Sequence, residues 1–394
     1  MHYKKYLQVF CLALLVLSLP CGINGLFLYN IGEFAAPEKV AALQSSDKIQ
    51  LAAFATHDLT FPYKLALYKT AKPEIVALGS SRVMPFRQNQ FSAKFLNLSR
   101  AMNSVDQGYV LVDELLKIHR PKIVILALDY WWFFEPTHEN INYYVPPKDA
   151  ATISINLLLK PFVWLYEGKI SWDFYLKSLF TFSINKEQKH LGLKATLANE
   201  GFAKDGSYYH TGITTGLVQS TDIQFKETLS LISESKGFYT HSLEFKELHL
   251  QRLNALINKL TTAGIKTYVF IPPMAPTVLK KISENKAQYA HIDEFLNKMN
   301  SVQNGVYHFH NANTLAATDC QFLDGCHGGE TLYLKILLSI AKQDESKILE
   351  KALNLDYIHH AILKYESLSM VPNKDITSQN EVDYLKIGCK RQSS

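Results

Sequence analysis

Two short runs that are apolar at every position decide what this chain can fold into. Ile75-Val-Ala-Leu78 and Ile123–Leu128, the interior of Lys122-Ile-Val-Ile-Leu-Ala-Leu-Asp129, show no alternation of apolar and polar residues. A strand with one face in water alternates. A strand covered on both faces does not, and such strands belong to parallel sheets flanked by helices. Phe95–Leu98, Ile265–Ile271 and Val306–His310 read as three further short strands. Five strands with helical stretches between them predict a three-layer α/β domain with a parallel sheet.

The intervening segments carry helical spacing. Tyr109, Val112, Leu115 and Leu116 place one apolar face on a helix over Gln107–His119, closed by Pro121. Further helices are expected over Leu243–Thr262, Ser283–Met299, Gly329–Ala341 and Leu349–Leu363. One more is expected over Val83–Ala93, beginning late because of Pro85. Residues 135–240 break the alternation, with Pro146-Pro147, an apolar run over Ile153–Leu165 and five glycines from Gly192 to Gly216. They read as an insertion or lid over the crevice of an α/β domain spanning 73–345. Residues 30–72 form an entry segment, and residues 346–394 a C-terminal helix followed by a polar, loose tail.

Apolar residues make up 47% of the 394 and charged residues 20%, the balance of a globular chain. The net charge of +5 is scattered, so no nucleic-acid footprint is present. His2, Lys4 and Lys5 precede an apolar run from Tyr6 to about Tyr29, long enough to cross a bilayer. Positive charge before it, and Glu33 and Glu38 after it, place the amino end in the cytoplasm and the bulk outside. A cleaved signal peptide is the rival reading, but Pro20-Cys21-Gly22-Ile23-Asn24-Gly25 is a poor cleavage site. Residues 1–29 are therefore expected to be an uncleaved signal anchor, one transmembrane helix.

The first apolar run stops at Gly79 and delivers Ser80, Ser81 and Arg82. A residue at the carboxyl end of a parallel strand faces the crevice where open α/β sheets bind ligands. A serine hydroxyl is a poor nucleophile at neutral pH; it needs a base, and the base needs a third group to hold its tautomer. Asp324 and His327, three apart in Asp319-Cys-Gln-Phe-Leu-Asp-Gly-Cys-His-Gly-Gly329, supply orienter and base from one turn. Either Ser80 or Ser81 can supply the hydroxyl.

These two blocks resemble those of the SGNH, or GDSL-like, hydrolases. That family has Gly-Asp-Ser after a strand and Asp-x-x-His before its last helix; here stand Gly79-Ser80-Ser81 and Asp324-Gly-Cys-His327. The Gly-Ser-Ser-Arg variant behind an apolar N-terminus is similar to the exported bacterial branch that includes DltD-like and alginate O-acetylation proteins. The resemblance covers roughly residues 73–134 and 241–345. It implies a flavodoxin-like SGNH fold, with Ser81 in register as nucleophile, His327 as base and Asp324 as its orienter. It also implies an oxyanion donor in the Ser99–Asn103 turn, Ser99 or Ala101, beside the Ser81 N–H. No glycine stands in that turn, and Asp129 stands where the family has an asparagine donor. An ionised Asp129 accepts rather than donates, so its expected roles are to cap the end of its strand or to position a substrate hydroxyl or Arg82.

Cys320 and Cys326 flank Asp324, and in an oxidising compartment they can close a small loop or remain two thiols. Cys389 is then left over in the tail. His308 and His310 lack further ligands, so no metal and no cofactor is expected. The implied function is a serine esterase or O-acyltransferase acting on small acyl esters of cell-envelope glycans. It would sit at the bacterial inner membrane with its globular part in the periplasm. A multispanning membrane acyltransferase is the implied partner. The competing class is a non-catalytic, glycan-binding scaffold on the same fold.

Overall fold

The computed structural model describes residues 2–56, 60–134, 154–180, 189–303 and 305–390. Residues 57–59, the Pro146-Pro147 stretch and the last four residues lie outside them.

Among the described residues, the main sheet has five strands: β2 (Ile75–Gly79), β3 (Phe95–Ser99), β4 (Ile123–Ala127), β8 (Lys266–Ile271) and β9 (Tyr307–His308). All neighbours pair in parallel, in the order β3-β2-β4-β8-β9. Counted along the sheet this is 2-1-3-4-5, compatible with a flavodoxin-like arrangement. The unbroken apolar runs have the expected cause: every residue of β2, β3 and β4 is buried. Helices Val105–Ile118, Glu247–Thr262 and Glu330–Gln343 cover the sheet with their apolar faces.

A smaller sheet joins β1 (Leu51–Ala52), β5 (His190–Leu191), β6 (Glu200–Phe202) and β7 (Tyr208–His210) in the order β5-β1-β6-β7. It is fastened to the main sheet where Asn97 N–H donates to Asp205 O at 2.7 Å. Residues 135–240 thus contribute strands to a second sheet. They also contribute helices Ile155–Tyr166 and Trp172–Phe180, which pack on the N-terminal helix. Residues 135–153 and 181–188 lie outside the described residues.

The N-terminal helix runs His2–Asn30, but it does not bear out a membrane span. Among the described residues no helix is long and apolar enough to cross a membrane. The last turns of the N-terminal helix belong to the globule. Phe27 and Leu28 are fully buried, Asn24 donates to Leu158 O at 2.7 Å, and Tyr175 donates to Asn24 Oδ1 at 2.6 Å. The earlier turns leave apolar side chains exposed, among them Leu12, Leu14 and Val16.

Three helix expectations change. Over Val83–Ala93 there are only 3-10 turns at Ser81–Val83 and Gln88–Gln90. The Asn97 side chain takes the carbonyls of Val83, Met84 and Phe86 that a helix would have used. Ser283–Met299 is two helices, Pro276–Glu284 and Ala290–Met299. Leu349–Leu363 is also two, Ile348–Ala352 and Leu355–Tyr365, the second capped by the Asn354 side chain.

The described part of the C-terminal tail, up to residue 390, is not loose. Leu385 is fully buried, its carbonyl accepts from Gln224 N–H, and Tyr384 donates to Phe322 O at 2.8 Å. This path carries Cys389 to Cys320, and the bridge joins those two, with Cα atoms 5.6 Å apart. The expected Cys320–Cys326 loop does not form; Cys326 is a free thiol. The bridge closes a separation of 69 residues, so it constrains the unfolded chain strongly. Cys389→Ser is expected to lower the unfolding free energy by about 2–4 kcal/mol, measured by urea denaturation. An unchanged midpoint, at unchanged slope, would contradict a formed bridge.

Candidate functional site

The site sits at the carboxyl ends of β2 and β4, where the strand order reverses. Such switch points are where open α/β sheets hold ligands. Gly79 ends β2 with φ +155°, and a Cβ there would lie 2.9 Å from Val83 Cγ1 and 3.2 Å from Ala127 Cβ. The chain can turn this tightly against its neighbours only without a side chain. Ser80 then caps the 3-10 turn, its Oγ accepting from Arg82 N–H at 3.2 Å. Ser81 is the first residue of that turn. Its N–H has no carbonyl one turn back to bond to.

The Asp-His block folds into a self-bonded loop. Leu323 N–H donates to His327 O at 2.7 Å, and Phe322 bridges Gly328. Asp324 Oδ1 accepts the N–H groups of Cys326 and His327, at 2.9 and 2.8 Å. Its Oδ2 lies 2.7 Å from His327 Nδ1. The other ring nitrogen, Nε2, lies 2.7 Å from Ser81 Oγ. Side chains 246 residues apart thus form one chain of hydrogen bonds, Ser81 to His327 to Asp324. Ser80, whose hydroxyl is bonded into the cap, stands outside it.

The electrostatics follow from this geometry. Burial opposes charge on His327, but the Asp324 carboxylate outweighs it and holds the imidazole well above its ordinary range. Burial likewise favours a neutral Asp324, yet the His327 charge and three hydrogen bonds hold it below the usual carboxylate range. In its neutral form an imidazole held this way is a strong base for a hydroxyl proton.

Arg82 assembles the parts. Its guanidinium is 1% exposed. Nη1 donates to Asp129 Oδ1 at 3.0 Å, Nη2 to Pro273 O at 2.6 Å, and Nε to Cys326 O at 3.0 Å. One side chain therefore ties the serine turn to the end of β4, the loop after β8 and the Asp-His loop. Asp129 positions Arg82, one of the roles expected of it, and its side chain makes no capping hydrogen bond. Burial pushes the Asp129 carboxyl up against the pull of Arg82. The aromatic run Trp131–Phe134 is core, with Trp131 stacked on Phe238 at 4.3 Å.

Ser99 and Ala101 are less available than expected as oxyanion donors. Ser99 N–H donates to Asn97 Oδ1, and Ser99 Oγ lies 3.4 Å from the buried Lys64 Nζ. Arg100 N–H donates to Gly79 O and Ala101 N–H to Leu98 O. Their N–H groups are engaged because Arg100, at φ +62°, turns the chain back onto the end of β2. His308 is exposed while His310 is buried beside Tyr130, so the two rings do not share an environment.

Two neighbours, Asp222 and His210, escaped sequence reasoning, and a third, Cys326, was expected only as a disulfide partner or a spare thiol. Asp222 Oδ2 accepts Gly325 N–H at 2.9 Å and so pins the Asp-His loop from the middle segment. His210, at the end of β7, is half-buried and feels the charges of His327 and Asp324. Burial, then the His327 charge, pushes its imidazole down to about 3, so it stays neutral. Cys326 Sγ lies 3.4 Å from His327 Nδ1. Asp222 and Cys326 lie on irregular chain and His210 ends a three-residue strand, so no periodicity marks what faces the site.

No protein-family model matches this chain, and no curated protein sequence matches it either.

Arg82→Met would leave Asp129 buried without its cation. It is expected to cost about 3–5 kcal/mol of stability, read by urea denaturation. A cost below about 1 kcal/mol, the level of an exposed ion pair, would contradict the positioning role.

Proposed function

We propose that this protein is a serine-dependent carboxylic-ester hydrolase or O-acyltransferase of the SGNH type. The observation that carries the reading is the pair of 2.7 Å contacts linking Ser81 Oγ, His327 and Asp324. A binding surface has no need of a hydroxyl, an imidazole and a carboxylate in that order. Supporting it are the five-stranded parallel sheet and the serine turn at its switch point.

In this reading Ser81 Oγ attacks the acyl carbonyl while its proton passes to His327 Nε2. Asp324 steadies the imidazolium through Nδ1. The Ser81 N–H receives the developing oxyanion. The leaving alcohol takes the proton from His327, and a serine ester remains. A water or a sugar hydroxyl, deprotonated by the same nitrogen, then releases the acyl group. Water gives an esterase, a sugar hydroxyl an O-acyltransferase. The acyl groups are small and their carriers cell-envelope glycans. The exposed apolar side chains of the first helix support attachment to a membrane, with the globular part on the periplasmic side. A multispanning membrane acyltransferase is the partner this arrangement fits.

A non-catalytic glycan-binding scaffold is the second reading. It is favoured by the engaged N–H groups of Ser99, Arg100 and Ala101. Hydrolysis of para-nitrophenyl acetate by the full-length protein separates the two. Ser81→Ala and His327→Ala are each expected to lose about 10³-fold or more in kcat, while Ser80→Ala retains turnover. Four proteins equally slow would favour the scaffold.

A further inference from the structure

Cys320 pairs with Cys389, and this leaves the Cys326 thiol free beside the triad. One ligating atom each from Asp324, Cys326 and His327 lies within 4.8 Å of the others. The Cys326 Sγ to His327 Nδ1 separation is 3.4 Å. Two ligands on a tetrahedral zinc ion at ordinary Zn–S and Zn–N lengths stand about 3.6 Å apart. Asp324 Oδ2 is closer to Nδ1, at 2.7 Å, where a tetrahedral ion needs about 3.3 Å. A small rotation of the carboxylate supplies the difference. The loop itself is already held by Asp324 Oδ1, Asp222 and Arg82.

We propose that Asp324, Cys326 and His327 form an inhibitory binding site for a thiophilic divalent cation such as zinc. The ligand set, one thiolate, one imidazole nitrogen and one carboxylate oxygen, suits Zn²⁺ over Mg²⁺ or Ca²⁺. Three protein ligands leave the fourth position to water. The proton balance explains the inhibition. To act as the base in the metal-free triad, the imidazole must be neutral, with its proton on Nδ1, toward Asp324, and its lone pair on Nε2, toward Ser81. The cation takes Nδ1, so that proton moves to Nε2. The Cys326 thiol releases its proton to solvent. Nε2–H can only donate to Ser81 Oγ and can no longer accept its proton. The ion thus fixes the wrong tautomer and withdraws Asp324 from the base in one step. The inhibition rests on the serine-ester reading; the binding does not.

The test is a titration of the full-length protein with Co²⁺, followed by absorbance. Thiolate ligation gives an intense near-ultraviolet charge-transfer band, at one equivalent. The band is expected in the wild type and in Ser81→Ala, which lacks the nucleophile but keeps every ligand. It is expected to vanish in Cys326→Ser. It should persist in Cys11→Ala/Cys21→Ala, which leaves Cys326 as the free thiol and covers a poorly folded Cys326→Ser. Zn²⁺ should displace the band and slow ester hydrolysis, and a chelator should restore the rate. No band in the wild type, or a band lost in the Cys11/Cys21 variant and kept in Cys326→Ser, overturns the proposal. A band without any esterase activity would sink the serine-ester reading and leave the metal site standing.

Discussion

The buried guanidinium of Arg82 is the constraint on which the rest of the site depends. Removing such a group from water is costly, and here an ion pair with Asp129 and two backbone carbonyls compensate it. Buried ion pairs add little net stability compared with well-packed apolar residues, but losing one partner is severe. What Arg82 supplies is position. It follows Ser81 directly, so any shift of the guanidinium moves the hydroxyl. It also holds the carbonyl of Cys326, next to His327. The 2.7 Å contact between Ser81 and His327 is the distance between two segments that one side chain grips from below.

Around that grip, the fold supplies rigid ends. β2 and β4 stop within the covered sheet, so the backbone entering the site has little freedom. The Asp-His loop is braced three times more: by Asp222, by the Tyr384 hydroxyl on Phe322 O, and by the bridge from Cys320 to Cys389. The middle segment and the tail, although far from the triad in sequence, therefore bear on how still His327 is held.

Much of the sheet was legible in the sequence because its strands are buried on both faces, and burial leaves unbroken apolar runs. Ile75–Leu78 and Ile123–Leu128 are the clearest cases. The triad was legible for a chemical reason: a serine at a strand end needs a base and orienter, and Asp324 and His327 offer both from one turn. The misses share a cause as well. The lost helix after Val83 depends on Asn97, a residue on the next strand whose side chain competes for the carbonyls. The disulfide partner depends on the path of a polar tail pinned by a few buried residues, Tyr384 and Leu385 among them. The last turns of the N-terminal helix are apolar because they pack on Tyr175 and its neighbours, which composition does not separate from lipid contact. Non-local contacts decided each of these.

The central claim is that Ser81 is an activated nucleophile, and covalent labelling tests it most directly. The folded full-length protein would be treated with a fluorophosphonate, digested, and the adduct located by mass spectrometry. The account predicts a single adduct on Ser81, absent when the protein is unfolded before treatment. Labelling on Ser80, labelling scattered over surface serines, or no adduct at all would contradict it.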